Sequence, residues 1–512
     1  MNLKTLLLSM TVMASAPAFA ATYYVTPEGA GSKNGSNWDN AFGVAEFRAQ
    51  AEANTNGDIY NFAGGLYNLS DGTVVFKTAT GATLKGNADG ERTVFSGDKD
   101  GNNNPDNGDA NRLIRFQANT KAGDMTNAVI VEDIDFTGVY TWTDNDDTNT
   151  GAFVVDNCGY TLVKGCRFYS NWAQGSRGGA AATIFRSMVK FENCMFYNNT
   201  ANYRGGAIRI YSKDAGKGDV TLENCIVKNN KNYHDLGGAI FMGHGNSLNI
   251  VNTTIAGNSA ETGRGAAIYF NGYDANQKRV VSIVNSTIAG NTCGVEDDAQ
   301  IVTTTSAHLN VANSIITSTD EVAAVKFTGD ALAESFQFVS GGYNVAGNII
   351  APEDTELDWK DTDHHGSEYT YKYMFAENIL NGNNVLEPAT FELGATGAEV
   401  TEAVADWGMP SDLDLAVDQL GNARTGEVTP GAYAITAPMT TSINSAITSD
   451  EAELVHIAGD IYAVNGYQGP VTVYNISGGV VLGASSSNID LGRLGAGLYI
   501  LNCGNKNFKI AK

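Results

Sequence analysis

This chain of 512 residues is short of basic residues, of proline and of long apolar runs, and each shortage excludes something. Lysine and arginine number 32 against 56 aspartates and glutamates, so the net charge is −24 and nucleic acid or anionic lipid surfaces are poor partners. Beyond the first 20 residues no run is apolar enough to cross a membrane as a helix. Only nine prolines accompany 58 glycines, which suits a β protein rich in turns.

What the chain does have is an internal repeat, and a repeat is interpreted first because it decides the fold. The stretch from Phe191 to Phe241 contains one pattern twice: apolar–polar alternation, Asn-Cys, Asn-Asn, a polar loop and Gly-Gly-Ala-Ile. A small corner residue recurs at intervals of 28, 31, 28, 33 and 28 residues, at Cys166, Cys194, Cys225, Thr253, Ser286 and Ser314. Five residues beyond the first five of these lie Asn171, Asn199, Asn230, Asn258 and Asn291.

The alternation within the repeat predicts short β-strands, and no segment of the repeat carries a helical apolar stripe. Equivalent strands in successive turns would pair in parallel, about 4.8 Å apart, so that each residue stacks on its equivalent. The asparagines can then form an amide ladder, the corner column must hold small side chains, and the paired glycines let the backbone turn. We therefore predict an all-β fold, a right-handed parallel β-helix.

Two turns of this repeat carry a family resemblance. Phe168–Asn171 and Phe196–Asn199 both have the form F-x-x-N, and each is followed by Gly-Gly-Ala. This pairing resembles the repeats of chlamydial polymorphic outer membrane proteins and other β-helical surface proteins, over the region from Phe153 to Thr317. The resemblance implies a β-helix exposed at a surface and says little about chemistry.

The first 20 residues have the pattern of a secretory signal peptide. Lys4 supplies the positive start, Leu6–Ala14 the apolar core, and Ala18–Ala20 the small-x-small cleavage site, so processing is expected after Ala20. The mature chain is therefore predicted to be exported.

Both ends of the β-helix resemble segments of secreted bacterial β-helix proteins. Tyr23–Leu69 resembles their opening, and within it Phe42–Ala53 predicts a short helix that caps the solenoid. Ala416–Tyr433 contains an Asp-Gln-x-Gly-x-x-Arg run followed by Gly-Ala-Tyr and resembles their closing segment. We expect it to seal the last turn.

The end of the chain reads as a separate small β unit, expected to be a β-sandwich. Val471–Asn475, Gly497–Ile500 and Phe508–Ile510 match the form of a type IX secretion C-terminal sorting domain. The resemblance implies contact with that secretion machinery and a location that is extracellular or at the outer-membrane surface of a Gram-negative-type bacterium. Whether the domain is cleaved or retained is left open.

These features give the predicted domain boundaries. They are a signal peptide at 1–20; the β-helix domain at 21–436, with its N-terminal cap at 21–72, its turns at 73–317 and its last turns and closing segment at 318–436; a Thr- and Ser-rich linker at 437–450; and the sorting domain at 451–512.

Six cysteines in an exported protein raise the question of disulfides. Cys166, Cys194 and Cys225 share one column, where adjacent turns would bring their Cα atoms within disulfide range. Thr and Ser occupy the same column further along, so buried free thiols are an equal alternative. Cys158, Cys293 and Cys503 have no evident partner.

Two polar segments have side chains that could hold a metal ion. The loop DKDGNNNPDNGD offers oxygen ligands for Ca²⁺ at Asp98, Asp100, Asn102, Asp106 and Asp109. It lacks the closing glutamate of an EF-hand, and the alternative is a plain acidic surface loop. Asp361, Asp363, His364 and His365 form a second, weaker candidate in a polar insert.

Catalysis would need groups that stand out from the repeat. Proteins with a β-helix include polysaccharide lyases, which need a base and a cation beside a uronate carboxylate. The candidates here are Arg177, Arg204 and Lys190, with Arg264 before a further glycine anchor. Leu236 at the equivalent position of another turn favours a structural explanation for the arginines. Asp297-Asp298 is the only adjacent acidic pair of the repeat region, which argues against a two-carboxylate hydrolase.

The regularity of the repeat favours a non-catalytic surface protein that mediates adhesion or glycan binding through its loops. Its partner would be an extracellular polysaccharide or a ligand on a host or cell surface, met by the loops at 200–204, 212–218 and 231–235. Loop tyrosines that could stack on sugar rings are Tyr203, Tyr233, Tyr269 and Tyr273. The alternative is a polysaccharide lyase that acts on uronate glycans with Ca²⁺.

Overall fold

A computed structural model describes most of the chain. The described residues are 20–54, 56–77, 81–117, 128–142, 150–175, 178–212, 218–244, 247–270, 279–295, 298–304, 307–317, 322–328, 337–351, 356–367, 369, 394–426, 428–434, 453–458, 461–465, 471–475, 479–484, 488–491, 494, 497–503 and 506–511. The core of the predicted signal peptide and the predicted linker lie outside them. The chain divides into two compact units, residues 1–437 and 438–512.

The first unit is the predicted right-handed parallel β-helix, because every strand-to-strand pairing among its described strands is parallel and joins equivalent residues of successive turns. The first sheet contains Thr22–Val25, Ile59–Phe62, Ala82–Lys85, Val129–Glu132, Tyr160–Lys164, Met188–Glu192, Asp219–Glu223, Ser247–Val251, Arg279–Val284, Ala307–Ala312 and Gln337–Gly342. The second sheet contains Gly65–Asn68, Thr93–Ser96, Ile134–Thr137, Arg167–Tyr169, Met195–Tyr197, Ile226–Lys228, Thr254–Ala256, Thr287–Ala289, Ile315–Thr317, Val345–Ala346 and His364–His365.

Two further sheets complete each turn. The short sheet contains Tyr140–Thr141, Trp172–Ala173, Thr200–Ala201, Lys231–Asn232, Ser259–Ala260 and Thr292–Cys293. The third sheet contains Val74–Lys77, Ile114–Gln117, Phe153–Asp156, Ala182–Phe185, Ile208–Tyr211, Ile240–His244, Ile268–Phe270, Ala299–Thr303, Ala323–Phe327 and Ile349–Ile350.

Residues with left-handed backbone produce the corners between the sheets. Asn224 (φ 54°) precedes Cys225 at the corner between the first and second sheets, and Asn229 (φ 54°) precedes Asn230 at the next corner. Asparagine tolerates this conformation better than most residues with a side chain. At the third corner a Cβ on Gly206 would lie 2.1 Å from the carbonyl oxygen of Gly238, so only glycine fits there.

The predicted amide ladder is confirmed. Each Nδ2 donates to the Oδ1 of the next asparagine, at 3.0, 2.9, 2.9 and 2.8 Å along the series Asn171, Asn199, Asn230, Asn258 and Asn291. The ladder ends on Gln300, whose Oε1 accepts from Asn291 Nδ2 at 2.8 Å. All six amides are fully buried or nearly so, which makes these bonds costly to leave unmade.

The small corner column is also a chain of hydrogen bonds, and its cysteines are free thiols. Backbone N–H groups of Thr253 and Ser286 each donate to the hydroxyl of the next turn at 3.1 Å, and Ser314 donates to Asn344 Oδ1 at 3.0 Å. None of the six cysteines, all of which lie in described parts of the chain, forms a disulfide. Burial raises the pKa of the Cys166 and Cys194 thiols, so they remain protonated and inert.

The interior is a single apolar column filled by stacked side chains. Phe136, Phe168 and Phe196 occupy equivalent positions in three turns, with ring centroids 4.8 Å apart and planes within 6°. The predicted capping helix is confirmed at Val44–Ala53, and its Phe47 contacts the ring of Tyr60 at 5.3 Å between centroids. A 3-10 turn at Trp38–Asn40 precedes it.

The segment after the last turns runs along the side of the solenoid, which corrects the expectation that Ala416–Tyr433 seals the last turn. We name residues 394–426 and 428–434 the lateral strap. The backbone N–H of Asp414 donates to Glu223 Oε1 at 2.9 Å, and Asn285 Nδ2 donates to the Leu415 carbonyl at 3.1 Å. These contacts lie at the corner between the first and second sheets, in the middle of the solenoid.

The strap contains the helix Gly397–Ala403 and one buried arginine, Arg424. Arg424 donates to the carbonyls of Val417, Thr429 and Gly431, and burial lowers its pKa to about 10. Arg424, the arginine of the Asp-Gln-x-Gly-x-x-Arg run, therefore holds two parts of the strap together.

The first sheet changes character where the strap covers it. One outward column contains Lys85, Glu132, Lys164, Glu192 and Glu223 and then continues with Val251, Val284 and Ala312. The three apolar members pack against Val400 and Val404 of the strap. Apart from the buried Glu223, the charged members are exposed or half-buried, and Lys164 and Glu192 pair along the column at 2.7 Å.

The second unit contains two antiparallel sheets around its own apolar core. One sheet has strands Glu453–Ala458, Ile461–Asn465 and Asn488–Asp490; the other has strands Val471–Asn475, Val480–Ala484, Leu498–Cys503 and Lys506–Ala511. Buried Val473, Ile489 and Leu501 lie in this core. None of the described helices of the whole chain combines the length and the apolar character that a transmembrane helix needs.

Candidate functional site

The loop at 98–109 is built around one buried carboxylate. Asp98 Oδ1 accepts the backbone N–H of Gly101, and Oδ2 accepts that of Asn103, both at 2.7 Å. Asn103 consequently takes a left-handed conformation, with φ of 58°. Asn102 Nδ2 donates at 2.9 Å to both Asp100 Oδ2 and Asp106 Oδ2. Asp98 therefore fixes the shape of the loop and the direction of the residues at its tip.

The predicted calcium ligands are partly brought together. Carboxylate oxygens of Asp98, Asp100 and Asp109 lie within 4.8 Å of one another, the only such group of acidic, His or Cys side chains in the part of the chain that the structure describes. Asp106 and Asn102 belong to the same loop but not to this group. Both Asp98 oxygens already accept backbone N–H groups, so the loop keeps its shape through its own hydrogen bonds.

The tip of this loop forms one wall of a groove of about 290 Å³ on the outside of the solenoid. The wall consists of Asn103, Asn104 and Pro105. The floor, at the corner that leads into the short sheet, consists of Ser170, Asn171, Trp172, Asn198, Thr200 and Tyr233. We name this feature the short-sheet groove; its volume is close to the lower limit of small-molecule sites, roughly 300 Å³.

Aromatic rings continue the floor of the groove toward the first strand of the short sheet. Tyr140 pairs with Trp172 in register, and their ring centroids are 5.5 Å apart. Trp142 stacks parallel to Tyr140, at 6.4 Å and 9°, and is 53% exposed. Burial and the nearby Asp106 carboxylate raise the pKa of Tyr140.

The four loop tyrosines predicted to stack on sugars have different positions. Tyr233 lines the short-sheet groove, and the ammonium of Lys231 lies 4.4 Å from its ring centroid. Tyr203 is 41% exposed. Tyr269 is buried against Phe241, with ring centroids 6.0 Å apart, and cannot meet a ligand. Tyr273 lies outside the described residues.

The structure separates the lyase candidates. Arg204 precedes the third sheet, where its Nε donates to Asp235 Oδ2 at 3.2 Å and its guanidinium lies over the ring of Phe241 at 5.2 Å. Lys190 lies in the first sheet, on a different side of the turn. Arg177 lies outside the described residues, and the exposed Arg264 shares no described contact with Arg204 or Lys190.

Lys190 is buried between two carboxylates. Its Nζ lies 2.7 Å from Glu223 Oε2 and 2.8 Å from Asp412 Oδ2. Burial acts to lower the pKa of Lys190, but the hydrogen bonds to Asp412 and Glu223 outweigh burial and raise it. A lysine held protonated in this way is a poor general base. It joins the lateral strap to the first sheet.

The second metal candidate serves the fold. Asp363 accepts hydrogen bonds from Ser340 Oγ at 2.6 Å and from the backbone N–H of Asn344 at 2.9 Å. His365 stacks on Trp359 with ring centroids 4.1 Å apart. These side chains are occupied by contacts within the last turns.

Comparison with known proteins agrees with a β-helix repeat. Residues 193–211 match the Chlamydia polymorphic membrane protein (Chlamydia_PMP) repeat. No curated protein sequence matches the chain. The parallel sheets described above and this repeat match together make the chain a β-helix repeat protein.

Three similar solved structures are of proteins whose names or bound ligands are related to carbohydrates. The chain resembles pectate lyase Pel9A (15% identity, TM-score 0.32, covering 84% of this chain and 92% of that one). It resembles XylC in complex with xylose (10%, 0.34, 81% and 98%). It also resembles a PL6 alginate lyase in complex with a trisaccharide (14%, 0.27, 74% and 93%). Identities and TM-scores this low carry no argument about activity.

Proposed function

We propose that this chain is an exported, non-catalytic β-helix protein that binds a glycan through the short-sheet groove. The observation that supports this function is the combination of half-buried and exposed aromatic rings with a cavity lined by amides and hydroxyls. Sugar rings are recognised by such surfaces, because apolar ring faces pack on aromatic side chains while hydroxyls meet polar groups. Trp172 and Tyr233 supply rings within the groove, and Asn103 and Asn104 supply amides. Trp142 adds an exposed ring beside it, stacked on Tyr140, which contacts Trp172.

The alternative, a lyase of uronate glycans, has weaker support among the described residues. Lys190 is held protonated by Glu223 and Asp412, and Arg204 is paired with Asp235. Neither cation faces the short-sheet groove, so no described base and cation converge on a ligand there. Arg177 lies outside the described residues and stays a candidate residue of the lyase alternative.

The place of action follows from the two ends of the chain. The signal peptide pattern that ends at Ala20 and the resemblance of residues 451–512 to a type IX sorting domain support export through the outer membrane. We propose contact with that secretion machinery and a final location outside the cell or at its surface.

Glycan-array binding of residues 21–512 tests the proposed function. Trp142→Ala removes an exposed ring beside the groove, and Asn104→Ala removes an amide of its wall; each is expected to weaken binding about tenfold, the effect of losing one good contact of roughly 1.4 kcal/mol. Trp38→Ala is the matched control, since Trp38 is 47% exposed at the N-terminal end of the solenoid. Equal binding by all three variants contradicts the proposal.

The lyase alternative has its own assay. The wild type is incubated with Ca²⁺ and uronate polysaccharides while absorbance is followed for unsaturated products. We expect no turnover; turnover that Arg177→Ala or Arg204→Ala abolishes would establish the lyase instead.

A further inference from the structure

The short-sheet groove has an uncharged lining. Its polar groups are the amides of Asn103, Asn104 and Asn198 and the hydroxyls of Ser170 and Thr200. Amides and hydroxyls both donate and accept hydrogen bonds, as sugar hydroxyls do. A carboxylate-bearing sugar would find no cation among these lining residues.

The groove lies in a negative field. The loop that forms its wall carries Asp98, Asp100, Asp106 and Asp109 against a single lysine, Lys99. Asp106 lies close enough to Tyr140 to raise the pKa of its phenol, so this charge reaches the aromatic floor.

The cation that lies over the Tyr233 ring of the floor is already paired with a carboxylate. Lys231 forms an ion pair with Glu261 and lies over the ring of Tyr233. The hydrogen bond to Glu261 raises the pKa of Lys231, so the pair persists at neutral pH. The cation is therefore committed within the protein, and the loop at 98–109 carries four aspartates against one lysine.

We propose that the short-sheet groove selects neutral glycans and excludes uronates, a specificity that rests on the proposed glycan-binding function. Like charges juxtaposed across a binding site act against the wrong ligand, which is how a site with few contacts becomes selective. The acidic loop thus serves two purposes: its tip provides the amides of the wall, and its carboxylates repel charged sugars.

The test uses pairs of oligosaccharides that differ only in charge, each a neutral glycan found on the array and its C6-oxidised uronate form. Binding is measured in EDTA, so that no divalent cation neutralises the loop. The neutral form is expected to bind at least fivefold more tightly than its oxidised partner. The gap should narrow as NaCl rises from about 0.05 M to about 0.5 M, because salt screens exposed charges.

Charge-removal variants show whether the loop causes the selectivity. Asp100→Asn and Asp106→Asn should each raise the ratio of uronate to neutral binding roughly twofold, the effect of unit charges about 10 Å apart in water. The ratio is the readout, because both carboxylates also accept a hydrogen bond from Asn102 of the loop. Asp39→Asn, an exposed aspartate at the N-terminal end, is the matched control.

The outcomes separate the two proposals. If uronates bind as tightly as neutral forms, and Trp142→Ala weakens both, the groove binds glycans but the neutral selectivity is overturned. If no glycan binds, or Trp142→Ala changes nothing, the glycan-binding function itself fails and the selectivity with it.

Discussion

Replacing one asparagine in the middle of the amide ladder should cost the solenoid several kilocalories per mole. Asn230 Nδ2 donates to Asn258 Oδ1 and to the Phe196 carbonyl, both at 2.9 Å. Its Oδ1 accepts from Asn199 Nδ2 at 2.9 Å and from the Asn199 backbone N–H at 3.1 Å. Asn230→Ala therefore leaves two buried N–H groups of Asn199 without their acceptor and removes one donor to the Phe196 carbonyl.

The magnitude follows from the cost of such groups. Each unpaired buried donor costs about 1–3 kcal/mol, so the two N–H groups predict a loss of roughly 2–6 kcal/mol in the free energy of unfolding. A loss of this size is large beside the total stability of a typical domain, about 5–15 kcal/mol. Because solenoid turns contact mainly their neighbours, the loss should be concentrated in the turns that contain Asn199 and Asn230.

Urea denaturation followed by circular dichroism measures the loss, and hydrogen exchange at the Asn199 amide locates it. Asn34→Ala is the control, because Asn34 is exposed and accepts one hydrogen bond from the Ser36 backbone; its cost should stay below about 1 kcal/mol. Asn230→Asp keeps the acceptors and loses both donors, so it should be more stable at acid pH, where the carboxyl is protonated, than at neutral pH. Equal losses for Asn230→Ala and Asn34→Ala would refute the ladder's role in stability.

Three further predictions concern charges. Lys190→Met should lower stability by about 3–5 kcal/mol, measured by calorimetry, because it leaves Glu223 buried and unpaired, and Glu223→Gln in the same chain should restore part of the loss. Millimolar Ca²⁺ should raise the melting temperature of the wild type but not of Asp100→Asn. Asp98→Asn should have a lower melting temperature than the wild type even in EDTA, because Asp98 holds the loop. If Ca²⁺ does not change the melting temperature of the wild type, the loop is an acidic surface loop and not a Ca²⁺ site. The hydrogen bond from Lys190 lowers the pKa of Asp412 below its ordinary 3.8. The stability that this carboxylate contributes is therefore complete above about pH 3.8 and is lost as pH falls through the lowered value. Melting temperatures between about pH 2 and pH 5 should show this loss in the wild type and not in Asp412→Asn.

Features that depend on the stacking of equivalent residues could be predicted from sequence. The ladder and the small corner column repeat once per turn, so their spacing alone indicated which residues would meet. The ends of these columns could not be predicted in this way. Gln300 comes from a third-sheet strand only nine residues after Asn291, and Asn344 replaces serine where the repeat has faded.

The lateral strap was misplaced because its contacts join residues far apart in the chain. Lys190 and Asp412 are separated by 222 residues, and no periodic signal connects them. The sequence does contain an indirect signal: Val251, Val284 and Ala312 replace charged residues at one outward position. An outward column that turns apolar indicates that something covers it.

The short-sheet groove was predicted only in part. Tyr233 and Thr200 belong to loops that the repeat left free to vary. The wall formed by Asn103–Pro105 depends on the two hydrogen bonds of Asp98, and the rings of Tyr140 and Trp172 meet across a register that degenerate turns conceal. Tyr269, which the pattern also favoured, is buried because it packs between Phe241 and Val302, its neighbours in one column of the third sheet.

The directionality of the amide ladder has a consequence for the length of the molecule. Every interior asparagine donates to the turn after it and accepts from the turn before it, so a duplicated turn inserted between Asn199 and Asn230 would leave every amide paired. In a chain shortened to end after Asn258, the Nδ2 of Asn258 would lose its acceptor, Asn291 Oδ1, and Gln300 would no longer be present to end the ladder. Interior turns can thus be duplicated without leaving an amide unpaired, whereas the turn that contains Gln300 ends the ladder and acts as its terminator. Turn number can vary by duplication while the core design stays constant, provided that the terminator keeps its place.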